Sequence, residues 1–317
     1  MGYAAYFAAL TVWLLAAGCG AVTAADSVTD DTAASAVDRG ASVFQFTFVV
    51  YADPHVTADD DNAARLRTAV AWTNAHRIEK QIDLVLLAGD ITWDGGFALT
   101  YEILSQLEPT WVPLNGDNGI HTGDEEEWNT TFSAQFDSVA SQVDNWRRAP
   151  VPIDDPVRGA DTWYQNWAFE NRGVTFVGLD WSPRGMDGFA GEMAALNPAP
   201  GGTLDWFTTE IGGLHDGFAE RAVMLTHQPM VPLPGGFFPE DQLQIDPISQ
   251  PVADYVWGDV AGHLHVDSDI DAETLGAGYE VHIIDAIWDD TPRVGVISVS
   301  LDDVGYTYVV DRADTSE

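Results

Sequence analysis

Residues 261–267, AGHLHVD, set two of the chain's eight histidines one residue apart behind a glycine. At a strand end, His263 and His265 would point to the same face. Two charged imidazoles there repel each other, whereas two neutral ones can share metal ions. The plain alternative is a pair of polar residues leaving a strand. Other residues of ligand type also follow apolar runs. VFQFTFVVYA leads to Asp53 and His55, and DLVLLAGD ends on Asp90. TWVPLNGD ends on Asp117, and RAVMLTHQPM carries His227. In open α/β sheets, ligands bind outside the carboxyl ends of the strands. Four of the eight histidines fall in this set, which outweighs any one motif.

The elements that must position these residues can be read from periodicity. The runs at 43–52 and 83–90 read as buried strands, and 110–117 as a strand entering a loop. Residues 63–80 have helical spacing, with Leu66 and Val70 on one side, and 97–107 are also helical. This alternation predicts an α/β fold that opens with parallel pairing. Residues 119–131 read as an acidic loop, in which Asp124–Glu127 is a solvated charge run, and 132–149 as one helix. Residues 162–170 and 173–181 read as a hairpin around Asn171-Arg172-Gly173. A short helix at 202–214 ends at glycines. A strand ending in a loop follows at 221–230, then strands at 255–265, 279–287, 293–301 and 305–311, the last three forming a meander.

Composition sets the limits. The chain has 317 residues, is 46% hydrophobic and carries a net charge of −37. Such a surface repels phosphate backbones, so no nucleic-acid-binding groove is expected. Self-repulsion of this size suits a saline habitat, where salt screens it. Lys80 is the one lysine, a scarcity that a high-GC genome would also produce. Cys19, the one cysteine, excludes an intrachain disulfide. The uncharged apolar run before it, with Ala17-Gly18 at its end, resembles a signal peptide (1–19) with a lipoprotein cleavage box and Cys19 as the lipidated residue. The alternative is a membrane anchor over Ala4–Val22. Either places the protein outside the cytoplasm, attached to a membrane. Residues 20–42 are small and acidic and read as a flexible tether, leaving one domain at 43–313.

The order Asp-x-His, Gly-Asp, a Gly-Asn-His-like loop, a lone histidine after a strand, and Gly-His-x-His resembles the calcineurin-like metallophosphoesterases, over about residues 44–266. The resemblance implies an α/β four-layer sandwich, two mixed β-sheets flanked by α-helices. It also implies two divalent metal ions and a small phosphorylated substrate. Asp53, His55 and His265 would bind one metal, Asp90 would bridge both, and His227 and His263 would bind the second. Mixed oxygen and imidazole ligands suit Mn, Fe, Zn or similar ions. Two such ions bind ester oxygens and acidify a water for in-line attack on phosphorus. The implied function is hydrolysis of phosphate monoesters or diesters; the alternative is a phosphate-ligand-binding lipoprotein impaired in catalysis.

The third motif departs from the family pattern. In Pro113-Leu114-Asn115-Gly116-Asp117-Asn118-Gly119, Asp117 stands where the family has a metal-binding asparagine. Asn118 stands where a histidine usually protonates the leaving group or holds the phosphate. An amide can hydrogen-bond but is no acid near neutral pH. Either His121 supplies the missing imidazole, or the substrate needs none, or turnover is lost. Purple acid phosphatases have a tyrosine where Trp93 stands here, so this chain is unlike that branch. His76, His215 and His282 read as ordinary residues and Asp180 as structural. One of Trp93, Trp111 and Trp181, near strand ends, is a candidate pocket wall. No phosphate-cradling loop with lysine and no serine elbow is present.

Overall fold

The computed structural model describes residues 42–58, 61–93, 95–120, 124–185, 189–215, 220–289 and 291–316. The signal peptide or anchor, Cys19 and the tether lie outside the described residues, as does His121. Among the described residues, no helix is long and apolar enough to cross a membrane.

In chain order the elements are β1 (Val43–Tyr51), α1 (Asn62–Lys80), β2 (Ile82–Ala88), α2 (Phe97–Leu104), β3 (Thr110–Leu114), α3 (Glu125–Ala140) and β4 (Asp144–Arg148). Then come β5 (Ile153–Asp155), β6 (Ala160–Thr162), β7 (Trp167–Asn171), β8 (Val174–Leu179), α4 (Phe189–Glu192), α5 (Thr203–Glu210) and β9 (Ala222–Thr226). The chain closes with α6 (Pro239–Ser249), a 3-10 turn (Gln250–Tyr255), β10 (Val256–Ala261), β11 (Ser268–Ile270), α7 (Ala272–Leu275), β12 (Glu280–Ile283), β13 (Arg293–Leu301) and β14 (Tyr306–Asp314).

Two mixed sheets form the body. One has the order β14-β13-β1-β2-β3, the other β11-β12-β10-β9-β8-β7-β4. β1, β2 and β3 run parallel, as do β8, β9, β10 and β12. The sheets meet through apolar side chains: Phe48 of β1 stands edge-on to Phe176 of β8 at 5.2 Å. Trp167 crosses between them and donates its indole N–H to the Pro113 carbonyl at 3.0 Å. Leu66 and Val70 of α1 and Ile103 of α2 join this core, while Phe207 of α5 and Ile245 of α6 pack in a second core with β8 and β9. Helices thus flank both sheets, the sandwich expected from the sequence.

Three local readings change. The acidic run is not a solvated loop. Asp124 precedes α3, and Glu125–Glu127 form its first turn, where carboxylates oppose the positive end of the helix dipole. Glu125 is buried and accepts from Arg158 Nη1 at 2.9 Å and from the Trp163 backbone N–H at 3.0 Å. The helix read over 132–149 stops at Ala140, and Asp144–Arg148 form β4. The late meander is a single hairpin, β13–β14. β12 belongs to the other sheet, parallel to β10. Strand character was legible there, but the choice of partner depends on residues far away in sequence. The β7–β8 hairpin forms as expected, with Arg172 at φ 48° and Gly173 at φ 82° in its turn. Two successive positive φ angles match the twist of the paired strands.

Candidate metal centre

The parallel strands of both sheets aim their carboxyl ends at one place. Asp53 and His55 follow β1, Asp90 follows β2, and Asp117 and Asn118 follow β3. From the facing sheet, His227 follows β9, and His263 and His265 follow β10. All seven predicted ligands come together in three overlapping groups that could hold a metal ion: Asp53–His55–His265, Asp53–Asp90–His227 and Asp117–His227–His263.

Asp90 joins the groups. Its Oδ2 lies 3.5 Å from His55 Nε2 and 3.4 Å from His227 Nε2. Asp117 Oδ1 lies 2.8 Å from His227 Nε2 and 3.3 Å from His263 Nδ1. Asp53 Oδ1 has imidazole nitrogens of His265, His227 and His55 at 3.6, 3.8 and 4.0 Å. That buried oxygen makes no hydrogen bond. Nitrogens at these distances are too far to share a proton well, yet those of His265 and His55 match ligands placed about 2.0–2.2 Å from a common cation. The donor set therefore fits divalent ions of the Mn, Fe or Zn type.

The surroundings orient the ligands. His227 Nδ1 lies 2.9 Å from the Ala88 carbonyl, which fixes the proton there and leaves Nε2 free to ligate. The His263 backbone N–H donates to Asp53 Oδ2 at 2.9 Å. Asn118 holds Asp90 twice, from its backbone N–H to Oδ1 at 2.9 Å and from its side-chain amide to Oδ2 at 2.7 Å. A Cβ on Gly116 would strike the Asp90 carboxylate, and one on Gly89 would strike the His227 ring. These two glycines let the strand-end loops approach so closely.

The backbone carries strain at the same place. Asp53, His55, Asp90, His263 and His265 all have φ between 45° and 72°. A left-handed conformation costs a residue with a side chain about 1–3 kcal/mol and persists where function requires it. Electrostatics agree. Burial would raise the Asp53 carboxyl, but the imidazoles of His265, His227 and His55 overcome it and hold it at about 2. Burial also opposes ionisation of Asp117, and His263 and His227 drive its value well below the ordinary range. His227 is pushed up despite burial, by Asp90 and Asp117. His55 is pushed down, chiefly by burial. Without cations, protons on imidazoles balance the carboxylates; bound cations would take over that role.

Of the candidate pocket tryptophans, Trp93 lies 5.1 Å from the His55 ring, while Trp111 and Trp181 belong to the cores. The sequence reading missed Trp288. Its ring lies 5.0 Å from that of His55, and its indole N–H donates to His265 Nδ1 at 3.2 Å. Its position after β12 was the available signal. Gln228, beside His227, reaches Asp117 Oδ1 at 3.4 Å and was also missed. His76, His215 and His282 lie outside the three groups, and Asp180 pairs with buried Arg184, as a structural residue does.

No family model matches the chain, and no curated protein does. Among solved structures, it is similar to a Staphylococcus aureus protein assigned as a 5′-nucleotidase, at 11% identity and a TM-score of 0.48. That match covers 85% of this chain and 54% of the other, so the chain spans about half of that protein's length. It is also similar to GAP50, the anchor in the inner membrane complex of Plasmodium, at 8% identity over 87% of this chain and 86% of that one, with a TM-score of 0.46. A Vps29 variant from Entamoeba histolytica matches at 12% identity over 85% of this chain and 99% of that one, with a TM-score of 0.33.

Proposed function

We propose that this protein is a metal-dependent phosphoesterase that holds two divalent cations at the junction of its sheets. The observation that carries this reading is the place of Asp90 Oδ2, within 3.5 Å of an imidazole nitrogen from each of two ligand groups. Asp53, His55 and His265 would hold one cation, and Asp117, His227 and His263 the other, with Asp90 shared between them. When bound, such a pair supplies Lewis acidity toward phosphoryl oxygens and a water acidified enough to attack near neutral pH.

The chain's own residues set the stage. Asn118 fixes both oxygens of Asp90, and the Ala88 carbonyl fixes the face of His227. His265, the most exposed of the seven ligands at 21%, marks the open side where an ester enters. The Asn118 amide has no proton to give a departing alkoxide, so water must supply it. Lack of an acid therefore slows esters with good leaving groups least. The signal-like segment ending at Cys19 supports an extracytoplasmic, membrane-attached location as part of the same proposal.

The test is metal content and turnover of bis(p-nitrophenyl) phosphate, beside the monoester, with added Mn²⁺ and with chelator. We expect chelator-sensitive hydrolysis, and Asp90→Asn should abolish it while circular dichroism stays unchanged. Full activity in that variant would remove the assigned site. A second reading, phosphate binding without turnover, is favoured by one observation: the Asn118 amide is committed to Asp90. Bound metal with neither ester hydrolysed would select it.

A further inference from the structure

An open depression of about 880 Å³ is lined in part by Trp288 and Asn62, both of which touch residues of the centre. Trp288 forms the shared wall, touching His55 and His265 on one side and lining the cleft on the other. Asn62, whose amide donates to the His55 carbonyl at 3.0 Å, is a second link. A substituent on a phosphate ester held at the centre has this cleft as its neighbour.

The lining is unusual in being balanced. Asp61, Asp285 and Asp289 face the same space as Arg65 and Arg293. Thirteen cations serve a chain with 50 carboxylates, so two arginines in one cleft are a concentration. Arg293 is paired with Asp267 at 3.0 Å. Arg65 donates to Asn62 Oδ1 at 2.9 Å and forms no ion pair among the described residues, which leaves most of its five donors for a ligand. A second phosphate would meet three carboxylates, and an organic cation would meet two guanidinium groups. A neutral group dense in hydroxyls suits both, because each hydroxyl donates to a carboxylate and accepts from a guanidinium or amide. Trp288 offers a flat apolar face, as the C–H face of a sugar ring requires.

We propose that this cleft binds the polyol part of the substrate, so that the protein acts on phosphate esters of sugars or similar polyols. The proposal rests on the phosphoesterase reading above. Arg65, Asp289 and Trp288 form the hydroxyl-binding rim and the stacking wall.

The experiment uses the purified full chain loaded with Mn²⁺. It compares kcat/KM for glucose 1-phosphate, cyclohexyl phosphate and adenosine monophosphate, with bis(p-nitrophenyl) phosphate as the reporter of the centre. A site that hydrogen-bonds substrate hydroxyls discriminates against the analogue lacking them. We expect the sugar ester to exceed the cyclohexyl ester by tenfold or more, and Arg65→Ala to bring that ratio close to one. Reporter turnover with equal rates on the sugar and cyclohexyl esters overturns the polyol site alone, as does a preference for the nucleotide. If no ester turns over, the phosphoesterase reading fails, and calorimetry with the same compounds decides the cleft separately. Tighter binding of glucose 1-phosphate than of cyclohexyl phosphate, lost in Arg65→Ala, supports the site, and equal or absent binding overturns it.

Discussion

Asn118 and Asp259 show how single groups set what the molecule can do. Asn118 pins Asp90 with two hydrogen bonds but brings no titratable proton. Asn118→His keeps the backbone bond and adds an acid. General acid catalysis is worth about 10²–10⁴ in rate, so this variant should speed hydrolysis of alkyl esters far more than of p-nitrophenyl esters. Rates across a series of leaving groups check it, and an unchanged slope would refute the idea. Asp259 sits in β10, buried, and accepts from Thr226 Oγ1 at 2.8 Å and from the Met230 backbone N–H at 2.9 Å. These bonds bracket His227. Burial pushes the Asp259 carboxyl up to about 7 from an ordinary 3.8. A raised folded value means the contribution to stability is full below about pH 4 and is lost as pH rises through about 7. The loss is on the order of 4 kcal/mol. Asp259→Asn mimics the protonated acid, so urea midpoints should show the variant gaining on the native protein between pH 5 and pH 8.

At the scale of elements, the sequence was legible where one local rule decided the outcome. Val43–Tyr51 and Ile82–Ala88 are apolar runs bounded by polar residues, and they are strands. Every predicted ligand among the described residues reached the centre, because strand ends in parallel sheets converge whatever the loops do. The failures have a common cause. Glu125 looked solvated because its partners, Arg158 and Arg184, are 33 and 59 residues away. Asp144–Arg148 looked helical because nothing local shows that β7 is waiting to pair. Trp288 followed a predicted strand, but only the fold brings it to His265. The buried Glu125 gives a test. Its side chain is 5% exposed and Arg184 is 2% exposed. Arg184 keeps its pair with Asp180, so removing the Glu125 charge costs only the buried hydrogen bonds it accepts, about 1–3 kcal/mol. Glu125→Gln should lose stability of that order in urea denaturation, and a loss below about 1 kcal/mol would mean that the pair is dispensable.

At the scale of the whole molecule, a charge of −37 favours expansion. Cations bound at the proposed centre would oppose this locally, because the ligands converge only in the folded state. At a hundredfold excess over Kd, each site adds about 2.7 kcal/mol. Mn²⁺ should therefore raise the melting temperature in a concentration-dependent way, and chelator should reverse it; a melting temperature indifferent to metal would leave the centre without ions. The ligands are also divided between the sheets. Asp53, His55, Asp90 and Asp117 come from one, and His227, His263 and His265 from the other. Apart from these loops, the faces meet through apolar side chains such as Phe48 and Phe176 and through the Trp167–Pro113 hydrogen bond. A cation shared between the sheets would add a tie of fixed bond lengths. It would act as a rivet through two plates, so the force needed to shear one sheet past the other would become a readout of metal occupancy.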